Sequence, residues 1–170
     1  MNELKSLLSY GNKKLGNNIA IFNMQSATNC TSKKLGLCKV CNICYAKKAE
    51  YLYPSVLPYR KRQEIYWKQT NPDNFVCDFL DAIKNKKTKI KYLRFSESGD
   101  FETQNDLNKL VYIANKLKNY GIITYVYSAR SDLDYSNIGN LKVNGSGFTV
   151  TNNFLAVKDL PDNLKINEKI

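Results

Sequence analysis

Residues 90–101 read Ile-Lys-Tyr-Leu-Arg-Phe-Ser-Glu-Ser-Gly-Asp-Phe. Ile90–Phe95 is short, apolar and rich in strand-forming side chains, and the chain turns polar immediately after it, so a strand delivers Ser96-Glu97-Ser98-Gly99-Asp100 at its C-terminal end. Downstream, Thr103 to Asn119 sets Leu107, Leu110, Val111, Ala114 and Leu117 on one side of a helix, with Gly121 just past its end. Ile122–Tyr127 is a further strand, closing in Ser128-Ala129-Arg130-Ser131-Asp132, and Phe148-Thr149-Val150-Thr151 is expected to follow as another after Gly145-Ser146-Gly147.

Upstream, Asn71-Pro72-Asp73 reads as a cap with proline at the first helical position, opening a helix whose Phe75, Phe79, Leu80 and Ile83 share a face. Cys77, among apolar neighbours in that helix, is expected to be a small core residue. Tyr45 to Tyr53 and Tyr59 to Lys68 have helical spacing, with Pro54 and Pro58 breaking the pieces. Ile19-Ala20-Ile21-Phe22 is a first buried strand, leading into a polar loop at 25–46. Strands separated by helices of these lengths predict an α/β fold, a short parallel sheet with right-handed crossover helices, in a single domain over residues 1–170.

In parallel α/β sheets chemistry collects at the C-terminal strand ends, where three polar segments are expected to converge: the 25–46 loop, Ser96–Asp100 and Ser128–Asp132. The first carries Cys30, Cys38, Cys41 and Cys44, four of the chain's five cysteines. The Cys-x2-Cys-x2-Cys triplet lets one loop wrap several sulfurs around an inorganic centre, which favours a 4Fe-4S cluster; zinc on four thiolates is the competing reading. The chain has no histidine, so a metal site must be built from thiolates, carboxylates, amides or water. Glu97, Ser98, Asp100 and Ser128 are candidate ligand-binding residues, with carboxylates able to bind amino or hydroxyl groups or move protons; for Asp100 a helix cap is the alternative. Arg94 and Arg130 could hold a carboxylate or phosphate, or stand on a solvated surface.

The charge of +11, from 26 Lys and Arg against 15 Asp and Glu, predicts attraction to phosphate-rich partners. Arg60, Lys61, Arg62, Tyr66 and Lys68, among further tyrosines, are the candidate nucleic-acid surface; the alternative is that the aromatics pack inward. No apolar stretch reaches the length of a membrane span, and residues 1 to 30 lack the pattern of a secretory signal, so a soluble, cytoplasmic protein with reduced thiols is expected. A Gly-rich phosphate loop and a nucleophile elbow are absent from the sequence.

The stretches Asn29–Ala46, ending Cys44-Tyr45-Ala46, then Arg60–Trp67, Arg94–Phe101 and Tyr125–Ser128 resemble the bacteriophage gene-product-eighty-eight family over most of the chain. Cys44-Tyr45-Ala46 and Ser98-Gly99-Asp100-Phe101 are the most specific pieces. The resemblance implies a phage protein in the host cytoplasm; family members often carry a further C-terminal cysteine cluster, and this chain, which ends at Ile170 without one, is expected to be a short or truncated form. A weaker, architectural likeness is to radical S-adenosylmethionine enzymes, which place a cysteine loop after their first strand and an amino-group-binding acidic loop after the second. It implies a half TIM-barrel-like architecture and S-adenosylmethionine as a possible cosubstrate. The gap of two residues between Cys38 and Cys41, and Ile43 where that motif has an aromatic, depart from the pattern. Two functions follow as expectations: a phage-type iron-sulfur protein, radical-enzyme-like and acting on a nucleotide or nucleic acid, or a non-enzymatic basic module stapled by zinc that binds RNA, DNA or a host nucleoprotein complex, as a host-defence inhibitor would.

Overall fold

The computed structural model describes residues 2–11 and 15–150. Five strands, β1 (Ser9–Tyr10), β2 (Ile19–Phe22), β3 (Tyr92–Phe95), β4 (Ile123–Ser128) and β5 (Lys142–Gly145), form one sheet in the order of the sequence. β1 is antiparallel to β2; the other neighbours are parallel. This mixed α/β sheet, in which consecutive parallel strands lie side by side, is compatible with one wall of a barrel. The fold class expected from the sequence is the one found.

Six α-helices are present among the described residues: α1 (Leu4–Leu7), α2 (Thr31–Lys34), α3 (Tyr45–Leu52), α4 (Val56–Gln69), α5 (Pro72–Ile83) and α6 (Gln104–Lys118). α5 starts as its sequence predicts, with the Asn71 side chain accepting from the Asn74 N–H at 2.8 Å and Pro72 in the first turn. Pro58 does not break a helix: it sits at the third position of α4, where its missing N–H would have no intrahelical partner anyway. α6 opens on a capping box in which the Thr103 N–H donates to Asp106, whose other oxygen accepts from Trp67 Nε1 at 2.8 Å and so ties α4 to α6.

One face of the sheet, with Ala20, Phe22, Leu93, Phe95, Val126 and Val143, packs on α1, α4, α5 and α6. At its centre Phe22, Trp67, Phe75 and Phe95 meet edge-on or tilted, with centroids 5.3–6.2 Å apart, the preferred geometry of aromatic quadrupoles. β2 is buried on both faces.

Two expectations need correction. The last strand among the described residues is Lys142–Gly145 rather than Phe148–Thr151: Leu141 and Val143 are buried, and Gly145-Ser146-Gly147 ends the strand instead of preceding it. Thr151 lies outside the described residues. The connection from β4 to β5 is a loop, 129–141, whose Leu133, Tyr135 and Ile138 pack against the core. Cys77 is exposed, not core. Two positions after Phe75, it is turned about 200° from that residue around the axis of α5.

Candidate functional site

The loop after β2 is held down by polar side chains before it reaches its first cysteine. Asn23 donates to Gln63 Oε1 at 3.0 Å and accepts from the Ser98 N–H at 2.9 Å, while Gln63 donates to the Leu7 carbonyl at 2.7 Å. Gln25 Oε1 accepts from the Thr31 N–H at 3.0 Å, and its main-chain carbonyl accepts from Ser98 Oγ at 2.9 Å. Gly99 passes so close, with φ +73°, that a Cβ there would stand 2.4 Å from that carbonyl. Glu50 of α3 accepts from the N–H groups of Ala27 and Thr28, from the Thr28 hydroxyl and from Arg60. Burial works to raise the Glu50 carboxyl, but the hydrogen bonds from Thr28, Ala27 and Arg60 together outweigh it and hold the group below its ordinary value.

Beyond these anchors Cys30 stands at the N-cap position of α2, a 3₁₀ turn spans Cys41–Ile43, and Cys44 stands at the N-cap position of α3. All four cysteines are half-buried and line one cavity of about 170 Å³. Cys30 Sγ lies 3.2 Å from Ser32 Oγ, and Cys41 Sγ donates to the Cys38 carbonyl at 3.2 Å. Among the described residues no three of these or other Cys, Asp or Glu side chains already close on a single point. Partial burial and the neighbouring Cys38, Cys30 and Cys44 sulfurs push the Cys41 thiol up to about 11. Four thiols gathered on one cavity, with the Glu97 carboxylate on its opposite wall, are a donor set that a thiolate-bound metal or cluster would fit.

The opposite wall is made by Ser96–Asp100, Ser128, Ala129 and Ser146. The cysteine loop and the ends of β3 and β4 therefore meet in one pocket, but their residues do different work. Asp100 is buried, accepting from Ser128 Oγ at 2.6 Å and from the Ala129 and Phe101 N–H groups, and links the β3 end to the β4 end. Desolvation pushes its carboxyl up against those hydrogen bonds. It does not cap α6, a role that Thr103 takes. Ser98 is consumed by Asn23 and Gln25. Glu97 is half-buried, and its carboxylate has no partner among the described residues, leaving it available to a ligand.

Arg130 is buried away from the cavity, donating to the Phe101 and Glu102 carbonyls and fork-wise to Asp132. Arg94 projects from the sheet face, 3.4 Å from the Tyr45 hydroxyl. On α4, Arg60 is paired with Glu50 inside the protein, and Tyr66 is buried with its hydroxyl on Asp78. Lys61, Arg62 and Lys68 are exposed, the last paired with Glu64 and Glu102. Inward packing of the aromatics is what Tyr66 and Trp67 do.

Three further lining residues were not among the ligand-binding candidates read from the sequence. Ser96 has φ +59°, unusual for a residue other than glycine; it is 6% exposed, and its hydroxyl has no partner among the described residues. Lys33 and Lys47 face each other at the rim, and the Lys33 amine holds Lys47 below the ordinary lysine value. Each lies three residues after a cysteine, a spacing that could have marked them as rim cations.

No helix among the described residues is long and apolar enough to cross a membrane. No curated protein and no solved structure matches the chain. A family model described as Gene product 88 matches residues 4–166, nearly the whole length and every element of the site. The chain belongs to the Gene product 88 family.

Proposed function

We propose that this protein is an iron-sulfur protein whose cluster is bound by Cys38, Cys41 and Cys44, with Cys30 as the fourth and most readily released thiolate, beside a ligand pocket at the C-terminal strand ends. The observation that carries this is the gathering of four thiols on one cavity in a chain without histidine. Zinc is the competing occupant, since four thiolates satisfy its tetrahedral preference; the overlapping triplet favours iron-sulfur.

The pocket is polarised. Glu97 offers a free carboxylate to an amino group, Lys33 and Lys47 offer ammonium groups to a carboxylate or phosphate, and the Ser96 hydroxyl can donate or accept between them. Such an arrangement suits a zwitterionic ligand, as the methionine moiety of S-adenosylmethionine is. A cluster with one open iron supplies a place where that cosubstrate can be reduced and cleaved, the chemistry of a radical enzyme acting on a nucleotide or nucleic acid. Asp100, Ser128 and Gln25 position the walls. Free thiols on all five cysteines suit a reducing compartment such as the host cytoplasm.

Anaerobic purification with iron, sulfide and zinc analysis tests the centre; a colourless, zinc-loaded protein refutes the cluster. Release of 5'-deoxyadenosine from S-adenosylmethionine by the reduced, reconstituted protein tests the radical chemistry. A second reading, a zinc-stapled basic module that binds a nucleoprotein complex, draws on exposed Lys61 and Arg62 and the charge of +11. It requires zinc in the isolated protein and unchanged nucleic-acid binding when Glu97 is replaced.

A further inference from the structure

One surface outside the cysteine pocket has a composition that the function above leaves unused. Side chains alternate along strands, and the register sets Tyr92, Arg94, Ile123, Tyr125, Tyr127 and Lys142 together on the sheet face turned away from the aromatic core. Towards β2 this face is closed, with Ile19 and Ile21 buried. Over β4 and β5 it is open: Tyr127 is 49% exposed, Ile123 37%, and Lys142 is exposed as well. Exposed aromatics on a sheet are costly to leave in water unless something covers them.

The charge of the face selects the occupant. The four parallel strands contain no Asp or Glu, whereas Arg94 and Lys142 bring cations between the rings. The Arg94 guanidinium stands 5.2 Å from the Tyr127 ring centre, and its Nε is buried with no partner among the described residues. A second copy of this chain, at +11, would meet like charge there. Tyrosine rings between cations suit unpaired bases joined by phosphates, because a base in a duplex has no free face to stack. Tyr127 also lines the cysteine cavity, so the face runs into that pocket.

We propose that this sheet face binds single-stranded nucleic acid, with bases stacked on Tyr125 and Tyr127 and phosphates held by Arg94 and Lys142, and leads it to the mouth of the pocket. The assignment stands on the sheet alone and needs no particular metal. Binding of a short labelled oligothymidine or oligouridine to the full chain, followed by fluorescence anisotropy at low and raised salt, tests it. Single strands bind and weaken steeply as salt rises; Tyr127→Ala costs about tenfold in affinity, in the range of one lost stack. Tyr127→Phe binds as the parent does, and the Lys61→Ala, Arg62→Ala pair on α4 loses less than Tyr127→Ala. Absence of binding at low salt, equal binding of the matched duplex, or a folded Tyr127→Ala that binds undiminished overturns the proposal. So does a dimer that Tyr127→Ala dissociates. If that variant does not fold, ultraviolet crosslinking of the parent decides: adducts on the β4 peptide support the face, and adducts confined elsewhere overturn it. Iron-free protein would refute the cluster and leave this result untouched, so the two assignments fail separately.

Discussion

Gly99 and Gly121 share a backbone angle, φ +73°, but not a neighbourhood, and that pair offers a measurement of how tightly the β3 loop is pressed on the cysteine loop. A Cβ at Gly121, past the end of α6, meets nothing within 4 Å; at Gly99 it meets the Gln25 carbonyl oxygen at 2.4 Å, Gln25 Cβ at 2.5 Å and the Gln25 carbonyl carbon at 2.7 Å. Gly121→Ala should therefore cost only the left-handed backbone penalty of about 1–2 kcal/mol. Gly99→Ala bears the same penalty, and in addition the backbone of Gln25 must move. Overpacking of that kind costs about 1–3 kcal/mol, and the Ser98 hydroxyl bond to the displaced carbonyl is worth about 1 kcal/mol more. The total is about 3–6 kcal/mol, and the difference between the two variants, at least about 2 kcal/mol, isolates the contact. The single tryptophan, Trp67, is 2% exposed in the aromatic core, so its fluorescence in urea titrations reports global unfolding for both. Equal losses in the two variants, with unchanged slopes, would refute the close packing of the β3 loop on Gln25.

Cys41→Ser should abolish metal content, while Cys77→Ser, altering an exposed position on α5, leaves it unchanged by elemental analysis. Cys30→Ser should keep near-parental iron but change the electron paramagnetic resonance spectrum of the reduced cluster, because a thiolate at one iron is replaced; loss of iron equal to that in Cys41→Ser would make Cys30 as essential as the triplet. Glu50→Gln leaves the buried Arg60 guanidinium without its counter-charge and should destabilise the protein by about 3–5 kcal/mol in the same urea assay. Since the Glu50 carboxyl is held below its unfolded value of about 4.5, its contribution is complete above that pH and is lost as pH falls through the lower folded-state value. The parent should thus lose more stability than Glu50→Gln on acidification below about 4.5; parallel profiles would remove Glu50 from the anchor.

Where local rules govern, the sequence was informative. Asn71-Pro72 marked the start of α5 because a cap and a fixed φ act within one turn, and the strands at Ile19, Tyr92 and Ile123 declared themselves by their apolar runs. β5 was hidden because one of its faces is solvated, so Lys142 and Asn144 flank the single buried Val143 and the run looks like loop. Cys77 was misjudged by composition where angular position on the helix would have placed it outward. The cavity's cysteines were visible as a spacing, but the duties of Asp100, Arg130, Ser98 and Glu50 were not. A buried polar residue shows only its type in sequence, and whether it binds a ligand or another loop is decided by partners dozens of positions away.

The polar anchors beneath the cysteine loop have a bearing on how the protein matures. Asn23, Gln25, Glu50 and Gln63 hold that loop through side chains and main chain alone, without calling on any sulfur. In small zinc domains metal binding and folding are one event, and a chelator unfolds them. Here the anchors of the loop use no thiol, so they would stand whether or not the cysteines hold a metal. On the function proposed above, the newly made chain would fold ahead of its inorganic centre, and could release and regain it without passing through an unfolded state.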